Sequence, residues 1–251
     1  MSRHQSLAVV LRRWPYSESS LVVHALTPEL GLVPMLAKGV HKMKSGHLGV
    51  LDTFALVKLS YGSHADREMH TLYRAELVDR FSSLSDDVDK IAAAALLGEL
   101  AELAAPLGLP SQKVFVHLVE SFQELADGAA LPCFLVRRLQ ESLAHLGLQP
   151  DFTPLSVEAN KATGWWFSIV SGRMLAAGAP RPDGPSYWLQ PEDLQMLASP
   201  PPQSARPSQA ELRKANDCLT ILADFLGYHL ERPPRALTAL LQASPTATTT
   251  R

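Results

Sequence analysis

A chain of 251 residues is long enough to bury a sizeable core, in one large domain or in two or three small ones. Its 46% hydrophobic and 19% charged residues exclude the disordered classes, and no apolar run approaches the ~18–20 residues that span a bilayer. Two distant cysteines, Cys133 and Cys218, exclude a disulfide framework and a four-thiolate zinc site, and the expected address is cytoplasmic.

The net charge of −2 conceals an uneven distribution. Residues 1–80 carry 10 Lys/Arg against 7 Asp/Glu, residues 81–160 carry 4 against 11, and the remainder carries 9 against 7. Six of the nine histidines also fall in the first segment, so its positive field grows as pH falls. A basic front followed by an acidic middle points to a polyanionic partner for the front.

In chain order, short apolar runs separated by Pro15, Pro28, Gly31, Gly39, Gly46 and Gly62 predict strands over 7–11, 20–26, 31–37, 53–61 and 69–78. Five short strands in about eighty residues fit a small closed barrel, either oligonucleotide-binding (OB) or SH3-like. The pattern changes at Ser83-Leu84-Ser85-Asp86, which reads as a capping box, with Asp86, Asp87 and Asp89 in the first helical turn. Helices are predicted over 91–105, 111–126 and 132–145, the last ended by Gly147.

From 148 to 202, prolines and glycines interrupt every periodic run, and Pro200-Pro201-Pro202 reads as a stiff linker. Helicity returns over 209–230, and Pro233-Pro234 opens a last short helix to 241. Residues 244–251 read as a disordered tail. The predicted class is α+β, with a five-stranded barrel over 1–80 and a mainly helical domain over 81–251.

The chain carries no phosphate-binding GxxxxGK[ST], no GxGxxG after a strand, no GxSxG and no HExxH. Asp86, Asp87 and Asp89 suit a helix N-terminus several-fold better than a divalent cation, and His41, His47, His64 and His70 lack metal-ligand spacing and read as solvated. The informative set is basic: Arg3, Arg12, Arg13, Lys38, Lys42, Lys44, Lys58, Arg67 and Arg74. Lys58, Arg67 and Arg74 read as a solvated face. Arg12 and Arg13 end the first predicted strand, and Lys38, His41, Lys42 and Lys44 follow the third, so all are expected to line one barrel mouth or groove. Three lysines and a glycine in one loop suit successive phosphates. Tyr16, Tyr61 and Tyr73 are candidates for stacking or for core packing, and Trp165-Trp166-Phe167 reads as packing.

The run Leu11-Arg12-Arg13-Trp14-Pro15-Tyr16-Ser17-Glu18-Ser19-Ser20, followed by Leu26-Thr27-Pro28-Glu29-Leu30-Gly31 and Leu36-Ala37-Lys38-Gly39, resembles the opening of the bacterial recombination mediator family RecO. Thr71-Leu72-Tyr73-Arg74-Ala75-Glu76-Leu77 is similar to that family's fifth strand, and 137–147 to a helix ending in LxxLG. The resemblance implies an OB-fold barrel, a helical middle and no enzymatic activity. It also implies binding of single- and double-stranded DNA, strand annealing, and loading of RecA together with RecR and the single-strand-binding protein SSB, in the cytoplasm at the nucleoid. The SSB tail would meet Arg137 and Arg138, the latter standing where the family usually has an aromatic residue. Many members bind zinc through two CxxC pairs. At 155–160 and 174–179 this chain has no cysteine, so a metal-free module is expected, with Trp165, Trp166, Phe167, Ile169 and Met174 supplying packing instead. Two rival readings are a protein-interaction adaptor with a structural barrel, and a metal-dependent nuclease using Asp86, Asp87 or Asp89.

Overall fold

Short strands that bury alternate or successive side chains carry the first eighty residues of the computed structural model, which describes residues 2–40, 49–63, 69–154, 164–202, 206–237 and 240. Strands β1 (Ser2–Ser17), β2 (Ser20–Thr27), β3 (Gly31–Ala37), β4 (Leu56–Ser63) and β5 (His70–Asp79) close into a barrel of order β1-β2-β3-β5-β4. All pairs are antiparallel except β3 with β5. The class is therefore α+β, with an N-terminal OB-fold-like barrel followed by helices. Its interior is filled by Ala8, Val10, Val23, Ala25, Val33, Met35, Val57, Leu59, Tyr61 and Leu72, all buried.

Strand β1 is 16 residues long, where the sequence predicts five. It serves two neighbours in succession: Ser2 to Val9 pair with β4, and Val9 to Ser17 pair with β2. A register shift between Val10 and Arg12 bends it from one to the other. Pro15, expected to break the strand, sits within it opposite Leu21, past the end of the β4 pairing, where a missing N–H leaves no ladder bond unmade. Arg12 and Arg13 therefore lie inside β1 and do not end it.

A 3-10 turn (Ser82–Leu84) leads to α1 (Val88–Ala104) and α2 (Gln112–Ala126). The expected capping box at Ser83 is not the helix start. Ser83 Oγ donates to the Ala126 carbonyl at 2.8 Å, and Asp87 caps α1 by accepting from Asp89 N at 2.8 Å. Phe122 of α2 meets Phe54 and Phe81 edge-on, with ring centroids 5.4 and 5.8 Å apart. Gly31, at φ +60°, lies so close to the loop before α2 that a Cβ would stand 2.3 Å from the Pro106 carbonyl oxygen. Two backbone bonds fix that approach, Gly108 N to Leu30 O and Ser111 N to Pro28 O, both 2.9 Å.

The chain divides into two compact units between Asp127 and Gly128. Helices α1 and α2, which the sequence groups with the helical remainder, thus belong to the barrel's unit. In the second unit, α3 (Leu131–His145) packs on α5 (Gln209–His229), with Cys133 and Cys218 buried. Ser208 and Glu211 form a reciprocal capping box at the start of α5, and Gly147, at φ +72°, follows the end of α3. The segment expected to be irregular holds a three-stranded antiparallel sheet of β6 (Trp165–Ser168), β7 (Arg173–Met174) and β8 (Ser186–Leu189), order β7-β6-β8, and helix α4 (Pro191–Ala198). The tail 244–251 and the first predicted cysteine-pair position, 155–160, lie outside the described residues.

Candidate nucleic-acid interface

Neighbouring residues of a strand point to opposite sides, and Arg12 and Arg13 obey this. Arg12 reaches α1, where its Nη2 lies 2.7 Å from Glu102 Oε2. The same carboxylate is 3.4 Å from His24 Nδ1, and Trp14 stands edge-on to the His24 ring at 4.8 Å. Arg13 turns instead to Asp52, 3.1 Å away, and Arg80 binds the same carboxylate. Both arginines are about half exposed, but each is paired with a carboxylate.

Lys38 follows β3 and is exposed. Val40 N donates to the Ser19 carbonyl at 2.8 Å, tying the start of this loop to the β1–β2 turn, beside the exposed Tyr16. Ala37 pairs with Leu21, and Leu21 with Pro15. Arg12 is three residues further down β1, about 10 Å from that rim at ~3.3 Å per residue. Arg12 and Arg13 thus diverge to separate carboxylates, while Lys38 stands exposed at the end of β3. His41, Lys42 and Lys44, like His47, His64 and Arg67, lie outside the described residues.

A second basic area includes Lys58 and Arg74, which the sequence predicts as a solvated face. Register places Arg3, Ser60, Gly62 and Arg74 together outside β1, β4 and β5, with Lys58 two residues along. The Arg3 guanidinium lies 5.5 Å from the Tyr73 ring centroid, and Arg3 Nε donates to Ser60 Oγ at 3.3 Å. Tyr73 lies over Gly62, where a Cβ would stand 2.3 Å from its hydroxyl oxygen. Arg74 pairs with Glu76 at 2.8 Å. The signal that groups them is a pairing register, which no local pattern reveals.

Of the three candidate stacking tyrosines, Tyr61 is buried in the barrel between His4 and His70, and burial, with Glu29 secondary, raises its phenol above the ordinary range. His70, expected to be solvated, is partly buried against that ring. Arg137 and Arg138 are partly buried on α3, and Arg138 Nη1 lies 2.9 Å from Glu141 Oε2 with only 12% of its side chain exposed. The chain's two cysteines are buried on α3 and α5, and neither lies in the sheet. Burial also pushes the Cys218 thiol up to about 12.

The family model for the N-terminal part of recombination protein O matches residues 1–81, and the model for its C-terminal part matches 85–238. The chain belongs to the RecO family. A curated relative from a Nocardioides species, named DNA repair protein RecO, is 31% identical over 239 residues, covering 90% of this chain and 93% of the relative. Relatives of the same name from a Roseiflexus species and from Desulforudis audaxviator are 25% and 26% identical over 244 and 246 residues, covering 94% and 96% of this chain. The two RecO models meet between 81 and 85, at the 3-10 turn that leaves the barrel. Among the described residues of this RecO-family chain, no helix is long and apolar enough to cross a membrane.

Proposed function

We propose that this protein acts in DNA repair and recombination as a mediator that binds single- and double-stranded DNA, anneals complementary strands and, with RecR, helps load RecA on SSB-coated DNA. The observation that carries this reading is the pair of RecO family matches over nearly the whole chain, the first coinciding with a closed five-stranded barrel. The mechanism is electrostatic and makes no covalent bond, so the protein is read as a non-enzyme. Lys38, Lys42 and Lys44 contact backbone phosphates, each releasing counterions, and the acidic helical part recruits protein partners, among them the SSB tail through the Arg137 and Arg138 region. Functional limits of 1–80 for the barrel and 81–251 for the helical part, which cut across the first compact unit, a nucleoid-associated cytoplasmic location and a metal-free 148–202 module belong to the same proposal.

The ion pairs of Arg12 and Arg13 favour one second reading, an adaptor whose barrel is structural. Titration of labelled single-stranded DNA at several salt concentrations, with and without an SSB tail peptide, separates the two. A mediator loses affinity steeply with salt, and the variant Lys38→Ala/Lys42→Ala/Lys44→Ala flattens the log–log slope by about 2. Absence of binding at low salt would favour the adaptor.

A further inference from the structure

The sheet of the second unit has two chemically opposed faces. Partners across an antiparallel pair share a side, so Trp165, Phe167, Met174, Tyr187 and Leu189 form one face, and Trp166, Ser168, Arg173, Ser186 and Trp188 the other. The first face is the packed one. Trp165, Phe167, Met174 and Leu189 are buried, Phe167 meets Phe152 and Phe225 with centroids 4.7 and 6.3 Å away, and Tyr187 hydrogen-bonds Asp224 of α5.

The second face carries indoles that the packing does not consume. Trp166 and Trp188 are cross-strand partners in edge-to-face contact, 5.3 Å between centroids at 69°, and Trp188 is 43% exposed. The Trp188 indole lies across Gly164, where a Cβ would come within 2.7 Å of its Nε1 and Cε2, so the ring is held from one side and open on the other. The Arg181 guanidinium sits 5.5 Å from the Trp166 ring centroid, and its Nε donates to Ser186 Oγ at 3.3 Å. An aromatic partner orients a guanidinium without cancelling its charge. Arg173 extends the face at the β7 edge and is exposed; the neighbouring Asp151 carboxylate accepts from Thr153 N at 2.9 Å.

We propose that this face is a stacking platform for single-stranded DNA, with the Trp188 indole receiving a base and Arg181 and Arg173 meeting the flanking phosphates. A half-exposed indole beside a cation held on an aromatic ring is a combination that suits sequence-tolerant single-strand binding. Among the described residues the face bears Arg181 and Arg173 against one carboxylate, Asp151, bridged beside Arg173, which favours a polyanion over a proline-rich peptide, the other ligand suited to exposed tryptophans. The inference rests on the DNA-binding reading above and deepens it: a site on each unit lets one molecule hold two strands, as annealing requires.

The test uses the full chain and a fluorescein-labelled thymidine oligonucleotide, followed by anisotropy. Trp188→Ala is expected to weaken binding roughly five- to a hundredfold, and Trp188→Phe to retain most of the affinity. Arg181→Ala is expected to lower the salt slope by about 0.7. Because Trp188→Ala can disturb the sheet, a 5-iododeoxyuridine oligonucleotide is also photo-crosslinked to the unmodified protein, with an adduct expected on Trp188 or Trp166. Adducts confined to the barrel, with Arg181→Ala and Trp188→Ala binding as the unmodified protein does, would overturn the platform and leave the barrel reading intact. A proline-rich peptide that binds the face without competing with the oligonucleotide would overturn it too. Failure of the unmodified protein to bind any DNA would remove both readings.

Discussion

The barrel and the three-stranded sheet treat their surface arginines in opposite ways. On the barrel, Arg12, Arg13 and Arg74 each meet a carboxylate, from Glu102, Asp52 and Glu76. On the sheet, Arg181 lies over an indole, and only Arg173, bridged to Asp151, follows the barrel's pattern among the described residues. A carboxylate cancels the charge that a phosphate would attract, whereas an indole leaves it available. The contrast shows why counting basic residues along a sequence overstates a binding surface: partners of the cations decide how much charge is left. Arg3 is the barrel's exception, since it rests on Tyr73.

The strongest way to break the comparison is to remove the support beneath the indoles. Phe167 is fully buried, and Phe167→Ala is expected to cost about 3–5 kcal/mol in denaturant unfolding of the second unit and to abolish the edge-to-face geometry of Trp166 and Trp188. Gly164→Ala is a narrower lesion. The added Cβ collides with the Trp188 ring and the Leu189 carbonyl, so a loss of about 1–3 kcal/mol and a shifted tryptophan emission are expected. An unshifted spectrum would show that Trp188 is not seated on Gly164.

Asp52→Asn sharpens the barrel side of the contrast. Loss of that carboxylate frees two guanidiniums, Arg13 and Arg80, and the salt slope of DNA binding is expected to steepen by about 1. An unchanged slope would mean that neither arginine can reach the nucleic acid. The smallest expected effect concerns the two buried thiols. Burial raises both, Cys218 to about 12, so iodoacetamide at pH 8 is expected to leave Cys218 unlabelled in the native protein and to label it on unfolding. The sign for stability follows. A folded-state pKa above the unfolded value keeps its contribution below about pH 9 and loses it as pH climbs towards 12, so urea midpoints should fall across that window.

Local sequence signals revealed the five strands because β2 and β3 alternate or bury continuously within their own length, and revealed α2, α3 and α5 through periodicity and caps. They failed where structure depends on a distant partner. The second half of β1 is polar and contains a proline, and it is a strand only because β2 pairs with it. The sheet β6–β8 was hidden because its strands are two to four residues long and separated by glycine-bearing turns. At the candidate site, Lys38 lies where its neighbours in sequence predict, exposed at the end of β3. Glu102 is 90 residues from Arg12, and no local pattern signals that such a carboxylate neutralises it.

The order of the barrel strands has a consequence for synthesis. Strand β5 lies between β3 and β4, so the barrel cannot close until Asp79 has left the ribosome. Until then β3 lacks its second neighbour, and until Ser63 has emerged the β1 edge that receives β4 is open from Ser2 to Val9. During that interval the nascent chain offers two unpaired edges, one on the apolar strand Gly31–Ala37, to any other extended chain nearby. A pause in translation between β3 and β5 therefore leaves an apolar strand edge open to aggregation.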